Sequence, residues 1–291
     1  MHTTLIEPEK NPFNLLVADI THKCNMECAN CYIPNRDIPD MDVEQLYKFL
    51  NKLPKRIIIR LIGAEPTMRS DLPDIIRNVK KSGHNVSLTT NGLKLSSKKY
   101  VEKLKASGLR MVLISMNGAD DPNAYDVLDG GPHYCAMKVK ALHNCMEKNM
   151  IINTGTIIAK GVNESAFVKQ YDLFKNIAKD VGYKPRVKPI LRFKSVGHIG
   201  RHMKEASYSL DELRNFLHTQ IPEAKRVDVR SPNHATLCDL YETDDAYIRI
   251  IDWTIDEEGV PDAGNEFRGR ITPEWKVAPF FEHVKENEFN Y

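Results

Sequence analysis

The chain has 291 residues, of which 42% are hydrophobic and 27% are charged, so it can bury a large core as one domain or one domain with an appendage. Its net charge of +2 comes from Lys and Arg interspersed with Asp and Glu, which gives no strong field toward a nucleic acid or a membrane surface. No apolar run approaches the ~20 residues that cross a bilayer, and the amino terminus lacks secretory-signal features, so we expect a cytoplasmic protein.

Six short apolar or β-branched runs alternate with amphipathic segments along the chain. The runs are NLLVADI (14–20), IIIRLIG (57–63), NVSLTT (85–90), MVLISM (111–116), IINTGTIIA (151–159) and VKPILRF (187–193). Such strands, alternating with helices, are typical of a parallel sheet in either a βα barrel or an open doubly wound fold. We predict an α/β fold with a partial (β/α)6 TIM-like barrel, because polar motifs follow the strand ends and a barrel would bring them to one mouth.

Helix signals occupy the intervening segments. Asp42 and Gln45 form a capping-box pattern before one apolar stripe, Ser70 precedes another, and Ser209 with Glu212 forms a second box. Further helices are predicted over about 97–107, 133–149, 163–180 and 210–218.

The pattern changes after about residue 220. The segment that follows predicts two or three strands, and the tail EHVKENEF predicts a helix. We therefore divide the chain into a core, 1–220, and a C-terminal α+β extension, 221–291, that packs on the core rather than folding alone.

Three of the six cysteines lie together in CNMECANCY at C-x3-C-x2-C spacing: Cys24, Cys28 and Cys31. Thiolates bind soft metals and iron–sulfur clusters, and three of them leave one metal position open to an outside molecule. A zinc site completed by a distant residue such as His22, or simple packing of small apolar side chains, are the alternatives. The remaining cysteines form no second C-x2-C half, which disfavours zinc, and the bunched spacing does not resemble a disulfide framework.

This loop after the first strand resembles the signature of the radical S-adenosylmethionine (radical SAM) superfamily. The resemblance implies a [4Fe–4S] cluster on the three cysteines, with S-adenosylmethionine bound at the open iron. One-electron cleavage of that cofactor would give a 5′-deoxyadenosyl radical that removes a hydrogen atom from substrate. It also implies an external one-electron donor such as flavodoxin or ferredoxin, and no nucleic-acid or membrane partner.

Polar motifs after the next three strands support the resemblance. GAEPT, with Gly63, Ala64 and Glu65, is similar to the family's GGEPT motif, and Glu65 suits the cofactor's amino group. TNG, containing Asn91, follows the third strand. After the fourth strand, Ser115 is expected near the ribose or methionine part of the cofactor, and Asn117 near the ribose.

Two positions depart from the family pattern. Asn30 stands where an aromatic residue or histidine commonly lies near the adenine, with Tyr32 just after the last cysteine. The arginine that commonly holds the cofactor carboxylate is missing after the fourth strand, so we expect another cation, Arg192 or Lys194, to replace it.

The extension contains one cysteine, Cys238, too few for auxiliary clusters. Cys238 is either a buried small residue or a hydrogen-atom donor to a substrate radical. Arg268 and Arg270 are candidate binders of an anionic substrate group. We expect a small metabolite or natural-product intermediate to undergo epimerisation, carbon–carbon bond formation or cleavage, dehydration or dehydrogenation. Radical modification of a peptide or protein is the alternative, and a non-catalytic, metal-stabilised binding protein is a third reading.

Overall fold

A computed structural model describes residues 5–29, 31, 33, 36–196, 207–227, 239–251 and 268–280. The strands are β1 (Leu15–Asp19), β2 (Ile58–Ile62), β3 (Asn85–Thr90), β4 (Met111–Ser115), β5 (Ile151–Ile158), β6 (Ile190–Ser195), β7 (Lys225–Arg226), β8 (Leu240–Glu242), β9 (Tyr247–Ile251), β10 (Arg268–Ile271) and β11 (Val277–Pro279). The α-helices are α1 (Val43–Leu50), α2 (Leu72–Lys81), α3 (Lys98–Ala106), α4 (Pro122–Asp129), α5 (Tyr134–Glu147), α6 (Ala166–Asp180) and α7 (Leu210–Gln220). Short 3-10 helices cover Pro8–Lys10, Pro66–Met68 and Leu93–Ser96.

All the strands belong to one sheet, in the order β11-β10-β1-β2-β3-β4-β5-β6-β9-β8-β7. The eight strands from β10 to β9 in this order pair in parallel, and β11, β8 and β7 pair in antiparallel fashion at the two edges. Between β1 and β6 the strands alternate with helices in chain order. The predicted α/β fold with a partial barrel is therefore confirmed.

Side chains alternate between the two faces of the sheet. Leu16 and Ala18 of β1 pack into the main hydrophobic cluster, together with Leu46 and Phe49 of α1. Leu15 and Val17, on the opposite face, belong to a separate small cluster. We call this second face, which points away from the helices, the lumen face; residues in register with Val17 share it.

Local capping explains where the helices begin. The Asp42 carboxylate accepts bonds from the backbone nitrogens of Glu44 and Gln45, and the box between Ser209 and Glu212 is complete. The prediction was wrong for Ser70, because Asp71 is the residue that precedes α2 and its side chain makes no capping bond. The short helix α4, which Asp121 caps, was not predicted, and β6 begins three residues later than expected, at Ile190.

The strands after residue 220 join the central sheet at both of its edges. β9 lies beside β6, and β10 lies beside β1. The domain boundary at residue 220 stays a prediction, and the predicted helix EHVKENEF lies outside the described residues. Within the described part of the chain, no helix combines the length and the apolar character that a bilayer crossing requires.

Candidate active site

The loops that follow β1 and β2 are joined by backbone hydrogen bonds. Ala64 N donates to Thr21 O over 2.9 Å, and Glu65 N donates to Lys23 O over 3.0 Å. Lys23 directly precedes Cys24, so the GAEPT motif lies against the start of the cysteine loop. Parallel strands bring their carboxyl ends to one edge, which explains why motifs about 40 residues apart meet here.

Gly63 permits this close approach. Its φ is +134°, and a Cβ atom built on it would lie 2.1 Å from the Thr21 carbonyl oxygen. Both the backbone conformation and the space exclude any residue with a side chain. Ala64, which replaces the second glycine of the family motif, is not among the residues with positive φ.

Glu65 connects the loop after β2 to the turn after β3 through its carboxylate. Oε1 accepts bonds from Thr67 N at 3.0 Å, Thr67 Oγ1 at 2.6 Å and Thr90 Oγ1 at 2.7 Å, while Oε2 accepts from Asn91 N at 2.6 Å. The residue is 0% exposed, whereas Gly63 and Ala64 are half-buried. Because a carboxylate oxygen has two lone pairs, Oε2 can accept one further donor such as an ammonium group.

Asn91 extends this network to the cysteine loop. Its Nδ2 lies 2.8 Å from Asn25 Oδ1 and 4.0 Å from Cys24 Sγ, and its Oδ1 accepts a bond from Leu93 N. The TNG turn predicted from the sequence therefore touches the loop that carries the cysteines.

The three cysteine thiols lie close enough to influence one another electrostatically. Burial raises the pKa of Cys28 to about 12, and nearby Asp129, Cys31 and Cys24 contribute in the same direction. Burial also raises the pKa of Cys24. Crowded thiolates need a cationic partner between them, and iron in a cluster supplies that charge.

Arg36 is a site residue that sequence reasoning missed. Its Nη2 donates to Cys31 Sγ over 3.1 Å, and its Nη1 is buried without a hydrogen-bond partner among the described residues. Among the residues that the structure describes, no three His, Cys, Asp or Glu side chains lie close enough together to hold a single metal ion. A cluster makes a different demand, because each thiolate binds a separate iron. The three thiols and the neighbouring orphaned guanidinium nitrogen fit a cluster with an open iron and an anionic ligand beside it.

The end of β4 is held by a buried polar network. Asn117 Nδ2 donates to Asp129 Oδ1 over 2.6 Å, and Asn117 Oδ1 accepts from Ile157 N over 3.0 Å. Asp129 also forms an ion pair with Lys138, and both side chains are almost completely buried. Both polar atoms of the Asn117 side chain thus have protein partners, whereas the half-buried Ser115 makes no hydrogen bond through its hydroxyl to a described residue.

This network lies next to the cysteine loop. Ala29 N donates to Leu128 O over 3.0 Å, and Asp129 is near enough to Cys28 to raise the pKa of its thiol. Lys138 was not predicted, although a signal was present: Ala141, Leu142 and Cys145, at helical spacings from it, are all buried. A lysine on the buried stripe of a helix requires a buried partner.

Four basic residues that the sequence offered as candidates lie within strands rather than in the loops of this site. Arg192 and Lys194 lie on β6 and Arg268 and Arg270 on β10, all at lumen-face positions, and Arg270 pairs with Asp19. Asn30, Tyr32 and Cys238 lie outside the described residues, so their expected roles stay predictions.

Comparison with known proteins gives the same family as the cysteine loop. Residues 19–174 match the family model described as the radical SAM superfamily. The chain is 29% identical over 157 residues to 7,8-dihydro-6-hydroxymethylpterin dimethyltransferase of Methanocaldococcus jannaschii, which is 50% of this chain and 30% of that protein. It is 22% identical over 224 residues to GTP 3′,8-cyclase of Aquifex aeolicus, covering 73% of this chain and 67% of that protein.

Among solved structures, SuiB of Streptococcus suis bound to its precursor peptide SuiA superposes with a TM-score of 0.62. The identity is 14%, and the match covers 94% of this chain and 61% of that one. This likeness shows the fold alone. The chain spans less than a third of the dimethyltransferase that it matches.

Proposed function

Because the chain belongs to the radical SAM superfamily, whose members use a [4Fe–4S] cluster and S-adenosylmethionine, we propose that it abstracts a hydrogen atom from a small metabolite or natural-product intermediate. The observation that carries the proposal is the contact between the cysteine loop, GAEPT and TNG through Glu65 and Asn91. A structural metal site has no need for a second and a third motif at the ends of neighbouring strands. The outcome on substrate is one of epimerisation, carbon–carbon bond formation or cleavage, dehydration and dehydrogenation.

Each part of the site has a defined task in this proposal. Cys24, Cys28 and Cys31 hold the cluster, which supplies an open iron and one electron for reductive cleavage of S-adenosylmethionine. Glu65 fixes the relative positions of three loops, two through its carboxylate and the cysteine loop through its backbone nitrogen, and it keeps one acceptor position on Oε2. Asn91 holds the loop next to Cys24.

The remaining groups at this edge orient and shield the cofactor. The half-buried Gly63, Ala64 and Ser115 offer backbone and hydroxyl groups to it, and Arg36 offers a guanidinium to an anionic group next to Cys31. An external one-electron donor such as flavodoxin or ferredoxin is part of this proposal. The names of the dimethyltransferase and the cyclase, each referring to a small molecule, support a small-molecule substrate.

The test is cofactor cleavage by the loaded protein. After anaerobic reconstitution, the protein should show charge-transfer absorption of an iron–sulfur cluster and, with dithionite, should convert S-adenosylmethionine to 5′-deoxyadenosine. Cys28→Ala should lose both the absorption and the product. Cys135→Ala, at a half-buried cysteine on α5, is the matched control and should keep both. A fully loaded cluster that forms no 5′-deoxyadenosine would contradict the proposal.

A further inference from the structure

Arg69 lies two residues after the GAEPT motif, and its side chain is only 8% exposed. Its Nε and Nη2 donate to the two carboxylate oxygens of Asp71, over 2.9 and 2.7 Å. Such a bidentate pair fixes the plane of the guanidinium group. Because Asp71 directly precedes α2, the pair holds Arg69 in place from the side of that helix.

The third guanidinium nitrogen of Arg69 binds both ends of the cysteine loop. Nη1 donates to the backbone oxygen of Ile20 over 2.8 Å and to that of Met41 over 2.9 Å. Ile20 directly follows β1, and Met41 lies two residues before the start of α1. The residues between them, 21–40, contain all three cysteines of the site. One buried side chain thus joins the two points where this loop leaves and re-enters the core of the fold.

Further hydrogen bonds close the loop at the same base. Met41 N donates to Ile20 O over 3.1 Å, so the Ile20 oxygen accepts two donors. One residue further into the loop at each end, Thr21 Oγ1 donates to Asp40 Oδ1 over 2.7 Å. Through Arg69, both ends are also tied to the loop after β2, which presents the Glu65 carboxylate at the strand ends.

A loop that carries metal ligands binds most tightly when it is ordered before the metal arrives. Bringing the two ends of a flexible loop together costs conformational entropy, and a contact that holds them together removes this cost from the binding step. Hydrogen bonds from a guanidinium group are stronger than those between neutral groups, which suits Arg69 to this task. Groups behind metal ligands commonly set the affinity of a site by orienting those ligands.

We infer that Arg69 is a positioning residue that clamps both ends of the cysteine loop and thereby makes the loop hold its cluster tightly. The inference rests on the assignment of the cluster to this loop in the proposed function. Arg69 acts through the backbone oxygens of Ile20 and Met41. Its removal should therefore affect retention of the cluster more than the stability of the fold as a whole.

The test is the rate at which the loaded full-length protein loses its cluster absorption to excess EDTA under anaerobic conditions. Arg69→Met should lose the cluster about 10- to 100-fold faster than the wild type, the factor by which losing a group behind a metal ligand commonly weakens metal binding. Asp71→Asn keeps the guanidinium group but weakens its bidentate pair, so it should change the rate in the same direction by a smaller factor. Arg214→Met, on α7, is the matched control, because Arg214 forms an equivalent bidentate pair with Asp239. It should lower the melting temperature and leave the rate of cluster loss unchanged.

A second measurement uses the metal-free protein, so it is independent of the cluster. Hydrogen exchange at the Met41 amide, which bonds to Ile20 O, should accelerate in Arg69→Met by a larger factor than exchange at Leu88, in the middle of β3.

Three results would overturn the inference: cluster loss from Arg69→Met and Asp71→Asn at the wild-type rate, equally fast loss from Arg214→Met, or equal acceleration of exchange at Met41 and Leu88. The last two would make Arg69 a residue that stabilises the fold in general. A wild-type protein that loads no cluster would remove the proposed function, whereas the difference in exchange at Met41 would still report the clamp. A stable wild-type cluster together with unchanged cluster loss in the variants would remove only this inference.

Discussion

The rim of the sheet, formed by the loops that follow its parallel strands, differs from the lumen face in the surroundings of its buried charges. At the rim, Glu65 has four protein donors and Asp129 has both Asn117 and Lys138 as partners. At lumen-face positions of the eight parallel strands, the described residues include Asp19 as the one acidic side chain and six basic ones: Arg60, Arg192, Lys194, Arg249, Arg268 and Arg270. These rim carboxylates have partners within the protein, so they hold the loops in place. On the lumen face, by contrast, basic side chains lie beside one another, as Arg192 and Arg249 do on β6 and β9.

Mutations that remove a charge should therefore change the free energy of unfolding in opposite directions in the two regions. Removing a charge from the rim leaves a buried partner unsatisfied and destabilises the fold. Removing one from the lumen, such as Lys194, relieves repulsion by the neighbouring arginines. The following predictions test this contrast, starting with the largest expected effect.

Lys138→Met should lower the free energy of unfolding by about 3–5 kcal/mol, because it leaves the Asp129 carboxylate buried without its cation. Urea denaturation followed by circular dichroism measures the change. Lys140→Met, at an exposed lysine on the same helix, is the control and should change stability little. Adding Asp129→Asn to Lys138→Met should recover much of the loss. A single-variant cost below about 1 kcal/mol would refute the view that this pair holds the rim together.

Glu65→Gln should lower the free energy of unfolding by about 2–3 kcal/mol. The new amide nitrogen would face backbone and hydroxyl donors that now contact the carboxylate. Glu102→Gln, at an exposed carboxylate paired with Lys148, is the matched control and should cost little. Equal stabilities of the two variants would show that the network at Glu65 does not support the loops.

The smallest predicted effect is a pH dependence of the free energy of unfolding that comes from Lys194. Its pKa is about 7 in the folded protein, below its ordinary value of 10.5, so between these values the unfolded chain binds a proton that the folded chain does not. Stability should rise with pH across this window, by at most about 1.4 kcal/mol per pH unit. Burial is the largest cause of this lowered pKa, and the charges of Arg192, Arg268, Arg249 and Arg60 act in the same direction.

Lys194→Met should remove this rise, which denaturation at pH 7, 8 and 9 would measure. Lys188→Met, at a lysine just before β6 that pairs with Glu242, is the comparison variant and should retain it. A Lys194→Met protein with the same pH profile as the wild type would show that Lys194 lies in a more solvated environment than the structure indicates.

Local sequence patterns predicted the elements that hold the rim. The first six strands and the caps at Asp42 and Ser209 follow from side-chain periodicity and from capping chemistry, both of which act over a few residues. The meeting of the cysteine loop with GAEPT followed from the rule that parallel strands assemble a site at their carboxyl ends.

The lumen was not predictable in the same way. Arg268 and Arg270 were candidate anion binders, but Arg60 and Arg249 each look like an isolated polar residue in a strand. Their clustering depends on β9 pairing with β6 and on β10 pairing with β1, partners that no local pattern identifies. The Asp129–Lys138 pair was missed for a related reason, since α4 itself was not predicted.

The pairing of Leu15 with Arg268 has a consequence for biosynthesis. β1 is synthesised long before β10, so one of its edges remains without a neighbour until β10 has left the ribosome. An uncovered edge strand invites association with other nascent chains, and contacts between residues so distant in sequence form slowly. The nascent protein is therefore exposed to aggregation through β1 until β10 has been synthesised.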